Sequence, residues 1–453
     1  MPLILLTAIE FCLLIGSVYI AANIRFKDSW AIAENIESLP MRAIVFAGVI
    51  LICMVTMGLF QSRLRERSTG VFIRIVASFV AGVVVLALLF YVYPLLYLGR
   101  GILAISLFIS FIAIVAAHLS FLHFAQDLMW RRVVVIGAGE RANNLAKLRR
   151  KSDLFGLKLV GFIPMDGEQV AVEENRLLKI NGNLQDYALQ QGVNEYVVAV
   201  DDRRKNFPLD DLLNCKMAGV HVSDILTVFE EVTGKIRLDL INPSWMVFSD
   251  GFENKPTREI GKRIFDLLAA LLVLLVAWPF MLITAAAIFI ESGFKGPIFY
   301  SQRRVGLGGH EFSVHKFRSM SIDAEQNGEA QWAQKKDARV TRVGNIIRLL
   351  RIDELPQIFN VLKGNMSFVG PRPERPVFVD QLSENIPYYN KRHQVKPGIS
   401  GWAQLCYPYG SSEKDAKEKL QFDLYYIKNH SLFLDLTILL HTVEVVLFGK
   451  GAR

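Results

Sequence analysis

The sequence predicts a multi-domain membrane protein: an N-terminal bundle of four transmembrane helices, a central α/β domain on a parallel sheet, and a C-terminal mainly α domain with a re-entrant membrane helix hairpin. Three observations lead there. Four apolar segments of membrane-spanning length fill the first third of the 453-residue chain. A strand, a glycine turn and a helix then follow one another in the middle. A fifth apolar run, interrupted by a proline and basic at both ends, precedes a C-terminal region dense in charged and glycine–proline motifs. Hydrophobic residues make up 52% of the chain, which favours lipid over water as the solvent for much of it. The net charge of +8 is modest for this length, and no stripe of Lys and Arg interleaved with aromatics forms a nucleic-acid face. Phosphorylated ligands and anionic lipid account for it better. Cys12, Cys53, Cys215 and Cys406 have neither metal-ligand nor paired spacing and imply no disulfide framework.

The spans run from Leu3 to Asn23, Ala43 to Phe60, Val71 to Tyr93 and Ile102 to Leu122, within residues 1–125. The first lacks a basic leading region and a small-residue cleavage site, so it reads as a retained helix. Arg63, Arg65 and Arg67 after the second span and Arg131 and Arg132 after the fourth favour a cytoplasmic position for those ends. Arg25, Lys27 and Arg42 around the first loop nearly balance that count. Glu10 and Arg74 fall inside spans, where an ionisable side chain is either functional or engaged in helix packing or snorkelling.

Residues 131–250 read as a Rossmann-like domain. Arg132–Ile136 is an apolar strand that enters Gly137-Ala138-Gly139 and then a helix, and Leu159–Ile163 and Tyr196–Val200 add strands that fit a parallel sheet. The G-x-G-x-x-A pattern suits a dinucleotide, yet such a site wants an acid at the end of the second strand, and Asp166 comes later, after Pro164. A structural or regulatory domain is the favoured reading.

Beyond Lys262-Arg263 lies the apolar run Ile264 to Ile290, containing Trp278-Pro279. Arg258, Lys262 and Arg263 precede it and Lys295, Arg303 and Arg304 follow it, which is awkward for a span and natural for a hairpin over 262–291 that returns to the same leaflet. Pro279 supplies the break by removing a backbone donor. A kinked full span is the alternative, and it would put the two soluble parts on opposite sides.

The densest chemistry is Arg348-Leu-Leu-Arg351-Ile-Asp353-Glu354-Leu-Pro356, followed by Ser367-Phe-Val-Gly370-Pro371-Arg372-Pro373. Pro356 so soon after the acids places Asp353 and Glu354 at the start of a helix, where the dipole favours carboxylates and bound phosphate alike. Arg348 and Arg351 are expected to hold Asp353 ionised near neutral pH, ready to attack phosphorus or bind metal without a separate base. Two adjacent acids repel, and magnesium beside a phosphate would relieve that. Taken alone, Asp-Glu reads first as the exposed acidic first turn of an amphipathic helix, and the rest of the window changes that. A helix stopped by Gly364 and a turn holding Arg372 between prolines complete the window, and an arginine so fixed loses little freedom on binding phosphate.

This window, with Lys262-Arg263-Ile-Phe-Asp266, Phe299-Tyr-Ser-Gln302-Arg303-Arg304-Val-Gly306, His315-Lys316-Phe317-Arg318, His393-Gln-Val-Lys396-Pro397-Gly398-Ile-Ser-Gly401-Trp402-Ala403-Gln404 and Asp423-Leu-Tyr425-Tyr426, resembles the bacterial sugar transferases, the polyprenyl-phosphate hexose-1-phosphate transferases, over residues 258–453. The resemblance implies a phosphoglycosyltransferase that moves hexose 1-phosphate from a UDP-sugar, glucose or galactose, to undecaprenyl phosphate and releases UMP at the start of exopolysaccharide or O-antigen synthesis. It also implies Asp353 as the nucleophile of an aspartyl-phosphosugar intermediate and Glu354 as the ligand of Mg2+ or Mn2+. Arg348, Arg372, Lys316 and Arg318 would bind phosphate. Arg303, Arg304, His393, Trp402 and Gln404 are candidates for the nucleotide or sugar pocket. The enzyme would sit in the bacterial inner membrane as a multi-pass protein with its active site facing the cytoplasm, the front end accessory and compatible with a homodimer.

Two rival functions are a membrane-bound nucleotide-sugar dehydratase and a non-enzymatic scaffold of a polysaccharide assembly. The dehydratase needs a Tyr-x-x-x-Lys pair, and the nearest approach is Tyr388 with Arg392. The scaffold leaves the phosphate-handling residues without a use. Direct attack of lipid phosphate on the donor, with Asp353 only a metal ligand, is the mechanistic alternative. His393 and Trp402 could equally lock a loop, Tyr425 and Tyr426 are interfacial anchors or core, and Gln302 to Arg304 adjoin a glycine-rich turn at Gly306-Leu-Gly308-Gly309 that contacts phosphate or solvent. Asp323 to Lys336 reads as a loop that closes over substrate. The helix Leu432–Phe448, with Thr437, His441 and Glu444 on one face, is either interfacial or packed on the core. Leu405-Cys406-Tyr407-Pro408-Tyr409 departs from the family pattern and bears on specificity.

Overall fold

The structure, a computed structural model, describes residues 2–26, 39–60, 68–124, 130–148, 157–180, 182–201, 207–241, 243–252, 256–321, 339–407, 410 and 412–448. The expected loop from Asp323 to Lys336 and residues 408–409 lie outside the described residues. Two compact units divide the chain, Met1–Thr233 and Gly234–Arg453.

In the first unit, α1 (Pro2–Arg25), α2 (Leu39–Thr56), α3 (Ser68–Val92) and α4 (Arg100–Phe124) match the four predicted spans to within about a turn. All four are long and apolar enough to cross a bilayer. Helix α1 packs on α4 and α2 on α3, and Leu14, Phe46, Ile50, Ile75, Leu86 and Ile114 make a core with almost no exposed surface. The outward faces stay apolar too, with Ile52, Leu88, Tyr91 and Phe108 exposed. Helices apolar on every side have lipid as their natural surroundings. Glu10 and Arg74 do not snorkel: both face inward. His118 Nδ1 of α4 lies 2.6 Å from Glu10 Oε1, and Arg74 Nη1 donates to Met57 O just past the end of α2 at 2.8 Å.

The same unit continues through β1 (Arg131–Ile136), α5 (Glu140–Ala146), β2 (Leu157–Ile163), α6 (Leu184–Gln191), β3 (Glu195–Val198), α7 (Leu209–Met217), β4 (His221–Asp224) and α8 (Ile225–Thr233). The strands form one parallel sheet in the order β2-β1-β3-β4. Val133–Ile136 are fully buried, as expected of a central strand covered on both faces. Strand β4 was not foreseen, because His221-Val-Ser-Asp224 carries no apolar run.

The second unit comprises α9 (Pro243–Phe248), α10 (Pro256–Glu291), β5 (Phe299–Val305), β6 (Glu311–Phe317), α11 (Arg342–Leu349), α12 (Ile358–Lys363), β7 (Ser367–Val369), α13 (Pro376–Asn385), β8 (Gly398–Ser400), α14 (Trp402–Cys406), α15 (Glu413–Asn429) and α16 (Leu432–Phe448). It is mainly α, with an antiparallel hairpin β5–β6 and a short parallel pair β7–β8 that the helical reading did not include. The glycine-rich turn closes the hairpin, with Gly308 and Gly309 at positive φ. At the β7–β8 crossing Gly398 is required, since a Cβ there would overlap Gly370 N.

Helix α10 stays helical through Pro279, so that proline does not end it. Its first half packs Ala270 among Val314, Ile358, Val361 and Met366. Its second half packs Met281, Ala285 and Ile288 against Phe317 and Ile347. The remaining stripe, with Leu268, Leu272, Leu275, Leu282 and Ile283, is exposed. Helix α16 takes the core option: Ile438 is fully buried in the same cluster and Asp435 and Thr437 are buried beside it.

Candidate active site

Helix α11 begins with Thr341, whose hydroxyl accepts from Gly344 N at 2.9 Å, and Gly344 is needed because a Cβ there would overlap Ser319 O. Arg348 lies in its last turn and is exposed. The chain then reverses at Arg351, which adopts φ +57°, a left-handed conformation uncommon for a non-glycine residue. A 3-10 turn over Ile352–Gln357 follows directly, and α12 continues from it until Gly364 (φ +90°) stops it, as expected. The acids therefore begin a helical segment, with Pro356 inside the turn. The reversal buries both: Asp353 is 8% and Glu354 9% exposed.

The cations gather on Glu354, not on Asp353. Glu354 Oε1 accepts from Lys316 Nζ of β6 at 3.1 Å and from Arg372 Nη2 at 3.1 Å, with Arg351 Nη1 at 3.7 Å. Burial pushes the Glu354 carboxyl up, but Lys316, Arg372 and Arg351 outweigh it and hold the group well below the usual carboxylate range. Burial also lowers the Lys316 ammonium, against the pull of Glu354. Asp353 behaves oppositely. Burial and then the neighbouring Glu354 charge raise it, and Lys316, Arg348 and Arg351 do not compensate. The expectation that Arg348 and Arg351 keep Asp353 low is corrected on that ground. Among the described residues, no side chain hydrogen-bonds to the Asp353 carboxylate.

Arg318 follows Lys316 by two residues, just past the end of β6. Its Nη1 is buried and, among the described residues, has no hydrogen-bond partner, an arrangement that suits an incoming anion. Among the described residues, the other pocket candidates make no hydrogen bond or ion pair with the two acids. Arg303 is exposed and pairs with Glu311 across the hairpin. Arg304 Nη1 donates to Pro373 O at 3.1 Å. Trp402 locks a loop: its indole donates to Gly234 O at 2.7 Å and stacks on Tyr425. Gln404 is exposed. His393 is driven down to about 4 by burial and by Arg392, and so is neutral at pH 7. Tyr426 is core, with its hydroxyl 2.7 Å from Asp435 Oδ1. Residues that sequence reasoning passed over are Lys262, Arg392, Asp423 and Asp435, all in buried polar contacts. Lys262 and Asp423 lie within the matching motifs, whereas Arg392 and Asp435 carried no such signal.

A family comparison matches residues 257–449 to the family described as Bacterial sugar transferase. The UDP-glucose:undecaprenyl-phosphate glucose-1-phosphate transferase of Xanthomonas campestris pv. campestris is 32% identical over 343 residues, 72% of this chain and 69% of that protein. The chain belongs to the bacterial sugar transferase family. The UDP-N-acetylgalactosamine-undecaprenyl-phosphate N-acetylgalactosaminephosphotransferase of Aeromonas hydrophila is 46% identical over 242 residues, 53% of this chain and 56% of that relative, so the match spans about half of its length. The UDP-galactose-lipid carrier transferase of Erwinia amylovora is 29% identical over 72% of this chain and 70% of its own.

In this chain the glycine turn of the parallel sheet is filled by the protein's own carboxylates. The amides that would face a pyrophosphate are taken by the chain's own acids: Asp201 accepts from Glu140 N at 2.9 Å and Arg141 N at 3.1 Å, and Glu168 accepts from Ala138 N at 2.8 Å. A Cβ at Gly139 would overlap Asp201 Oδ2, so the glycine admits a carboxylate where a ligand phosphate would sit.

Glu354→Gln would leave Lys316 and Arg372 facing a neutral amide. Both are a quarter to a third exposed, so the expected loss is about 1–3 kcal/mol, below that of a fully buried pair. Thermal unfolding at pH 7 checks it. The difference should shrink on acidification below the ordinary glutamate range, where the wild-type group's depressed pKa ceases to contribute.

Proposed function

We propose that this sugar transferase moves hexose 1-phosphate from a UDP-sugar, glucose or galactose, to undecaprenyl phosphate, releasing UMP and starting lipid-linked polysaccharide synthesis. One observation carries the reading: a buried Asp353 carboxylate with no described hydrogen-bond partner adjoins a Glu354 carboxylate ringed by three cations. The names of the relatives, which join UDP-sugars or a lipid carrier to sugar-phosphate transfer, support the substrate class.

In the first half-reaction an Asp353 oxygen attacks the sugar-proximal phosphorus. A carboxyl–phosphorus bond forms, the bond to the bridging oxygen breaks, and UMP leaves with that oxygen. In the second, an oxygen of undecaprenyl phosphate attacks the same phosphorus and expels the aspartate, giving the diphosphate-linked lipid. Arg348, exposed beside the acids, and Arg372, Lys316 and Arg318 supply positive charge to the diphosphate. Arg351 fixes the turn and reinforces Glu354. Among the described residues no group of three acids, histidines or cysteines makes a metal cage. Two adjacent carboxylates fit an ion that enters with the diphosphate, because magnesium commonly takes one or two carboxylates and completes its shell with phosphate and water. Glu354 would then be the ligand of Mg2+ or Mn2+, leaving Asp353 to attack. The ion would neutralise charge on the leaving phosphate.

The acceptor's phosphate lies at the membrane surface, which calls for a site on the cytoplasmic face of the inner membrane. Support for a re-entrant α10 comes from its packing. A straight helix of 36 residues is about 54 Å long, more than a 30 Å hydrocarbon core requires. Yet Arg263 near its start donates to Val361 O and Leu362 O, and Glu291 at its end accepts from Val343 N. Both ends thus grip residues 343–362 of one body, which suits entry and exit on the same side, with Pro279 the natural point of bending.

Asp353→Asn should abolish UMP release with UDP-glucose, UDP-galactose and UDP-N-acetylgalactosamine alike, together with the sugar-phosphate adduct seen by intact-protein mass spectrometry. Exchange of labelled UMP into UDP-sugar without lipid distinguishes the two-step route, and turnover by the variant would end the assignment. Because the Asp353 carboxyl is raised, its ionised fraction falls as pH drops through a value above the ordinary aspartate pKa of about 3.9. The acid limb of the exchange rate should therefore lie above that value, and a limb at or below it contradicts the burial argument. Cysteines introduced at exposed Asp166 and Arg303 should label from the same membrane side; opposite sides would favour a full span.

A further inference from the structure

Arg372 is carried by the segment Val369-Gly370-Pro371-Arg372-Pro373-Glu374, in which two prolines lack amide donors. Such a segment can be held in place chiefly through its carbonyls, and the structure holds nearly all of them. Val369 O accepts from Lys262 Nζ at 3.0 Å, Pro371 O from Gly398 N at 3.0 Å, Pro373 O from Arg304 Nη1 at 3.1 Å and Glu374 O from Val305 N at 2.9 Å. The carbonyl of Arg372 itself accepts from Arg392 Nη2 at 2.9 Å.

Arg392 is equipped for that task. Its side chain is 7% exposed, and the same Nη2 lies 2.8 Å from Asp423 Oδ2, itself 3% exposed. Its Nη1 donates to Tyr389 OH at 2.6 Å, and the guanidinium lies over the Tyr389 ring. Arg372 O, Asp423 from α15 and Tyr389 three residues earlier thus fix the orientation of the fork. A buried ion pair adds little net stability compared with an apolar replacement, whereas fixing one peptide plane determines where the side chain on it begins. Pro373 restricts Arg372 to extended backbone, and the Arg392 bond selects the carbonyl direction within that region. The side chain then reaches Glu354 Oε1 at 3.1 Å.

We propose that Arg392, oriented by Asp423 and Tyr389, is a positioning residue that aims Arg372 at Glu354 and at the diphosphate. This rests on the transferase reading for its effect on turnover, but not for its effect on the loop. Loss of the fork lets the Arg372 side chain wander by about an ångström, a displacement that costs on the order of 100-fold in rate where charge must meet a transition state.

The test is a double-mutant cycle on the full-length protein in lipid nanodiscs, using Arg392→Lys, Arg372→Ala and the combination. Lysine keeps a cation beside Asp423 and so favours folding, but it lacks the planar fork. Arg392→Lys is expected to lower kcat for UMP release 10- to 100-fold with little change in KM for the donor, and the double variant should be no slower than Arg372→Ala alone. Effects that multiply, or an unchanged kcat in Arg392→Lys, overturn the proposal. Hydrogen exchange read by mass spectrometry judges the clamp without activity: peptides covering 366–378 should exchange faster in Arg392→Lys, with those of the β5–β6 hairpin unchanged. Unaltered exchange in 366–378 also overturns it. If the wild-type protein releases no UMP from any UDP-sugar, the transferase reading falls while the exchange result still decides the clamp.

Discussion

The second unit is organised by the burial of one carboxylate. Glu354 is withdrawn from water, and an ionised group there is tolerated only with partners in reach. Its partners come from distant stretches of chain: Lys316 from the hairpin, 38 residues earlier, and Arg372 from the proline-rich segment, 18 residues later. Arg351 joins them only because its backbone accepts a left-handed turn. Hairpin, reversal and proline segment are therefore fixed against one another by a shared charge. The consequence for the adjacent acid is indirect. With the cations engaged by Glu354, Asp353 keeps the cost of its own burial and stands apart in protonation behaviour. Environments that push two neighbouring carboxylates in opposite directions are a recognised basis for dividing roles between them.

The apolar helix α10 belongs to the same construction. Along one stripe it presents leucines and isoleucines outward, while Lys262 and Asp266 turn inward to strand β7. Lys262 meets Asp435 at 2.6 Å and Tyr426 OH at 3.1 Å, and Asp266 accepts from Ser367 Oγ and Phe368 N. The Asp266 bonds, with that from Lys262 Nζ to Val369 O at 3.0 Å, hold the strand from which the Arg372 segment emerges. A helix with one apolar face and a grip on the site ties the depth of that face in lipid to the geometry of the acids. Helix α11 and its C-terminal cap add Ile346, Leu349 and Leu350 as further exposed apolar groups shortly before Asp353.

In the first unit the polar groups are reconciled internally. Glu10 and His118 pair across two apolar helices, and Arg74 finds a helix-end carbonyl. The sheet's glycine turn is closed by Asp201 and Glu168. A turn that resembles a ligand site in its glycine spacing is here an intramolecular contact, and the spacing alone could not reveal it because both acids arrive from other loops.

What the sequence determined by itself was whatever depends on local period and backbone chemistry. The spans followed from unbroken apolar runs, β1 from its valines, the end of α12 from Gly364, and the acids and Arg372 from their motifs. The tertiary structure alone decided which charges meet. Arg348 and Arg351 are nearest to Asp353 in sequence, yet the strongest contacts form on Glu354, because the reversal at Arg351 turns that side chain towards Lys316. Arg392 and Asp423, 31 residues apart by their numbering, and Trp402 and Gly234, 168 apart, carry no mutual signal in the chain. The reason is physical: spacing governs neighbours along a helix or strand, whereas charge pairing and the protonation it sets depend on burial and on distances that exist only after the chain has packed.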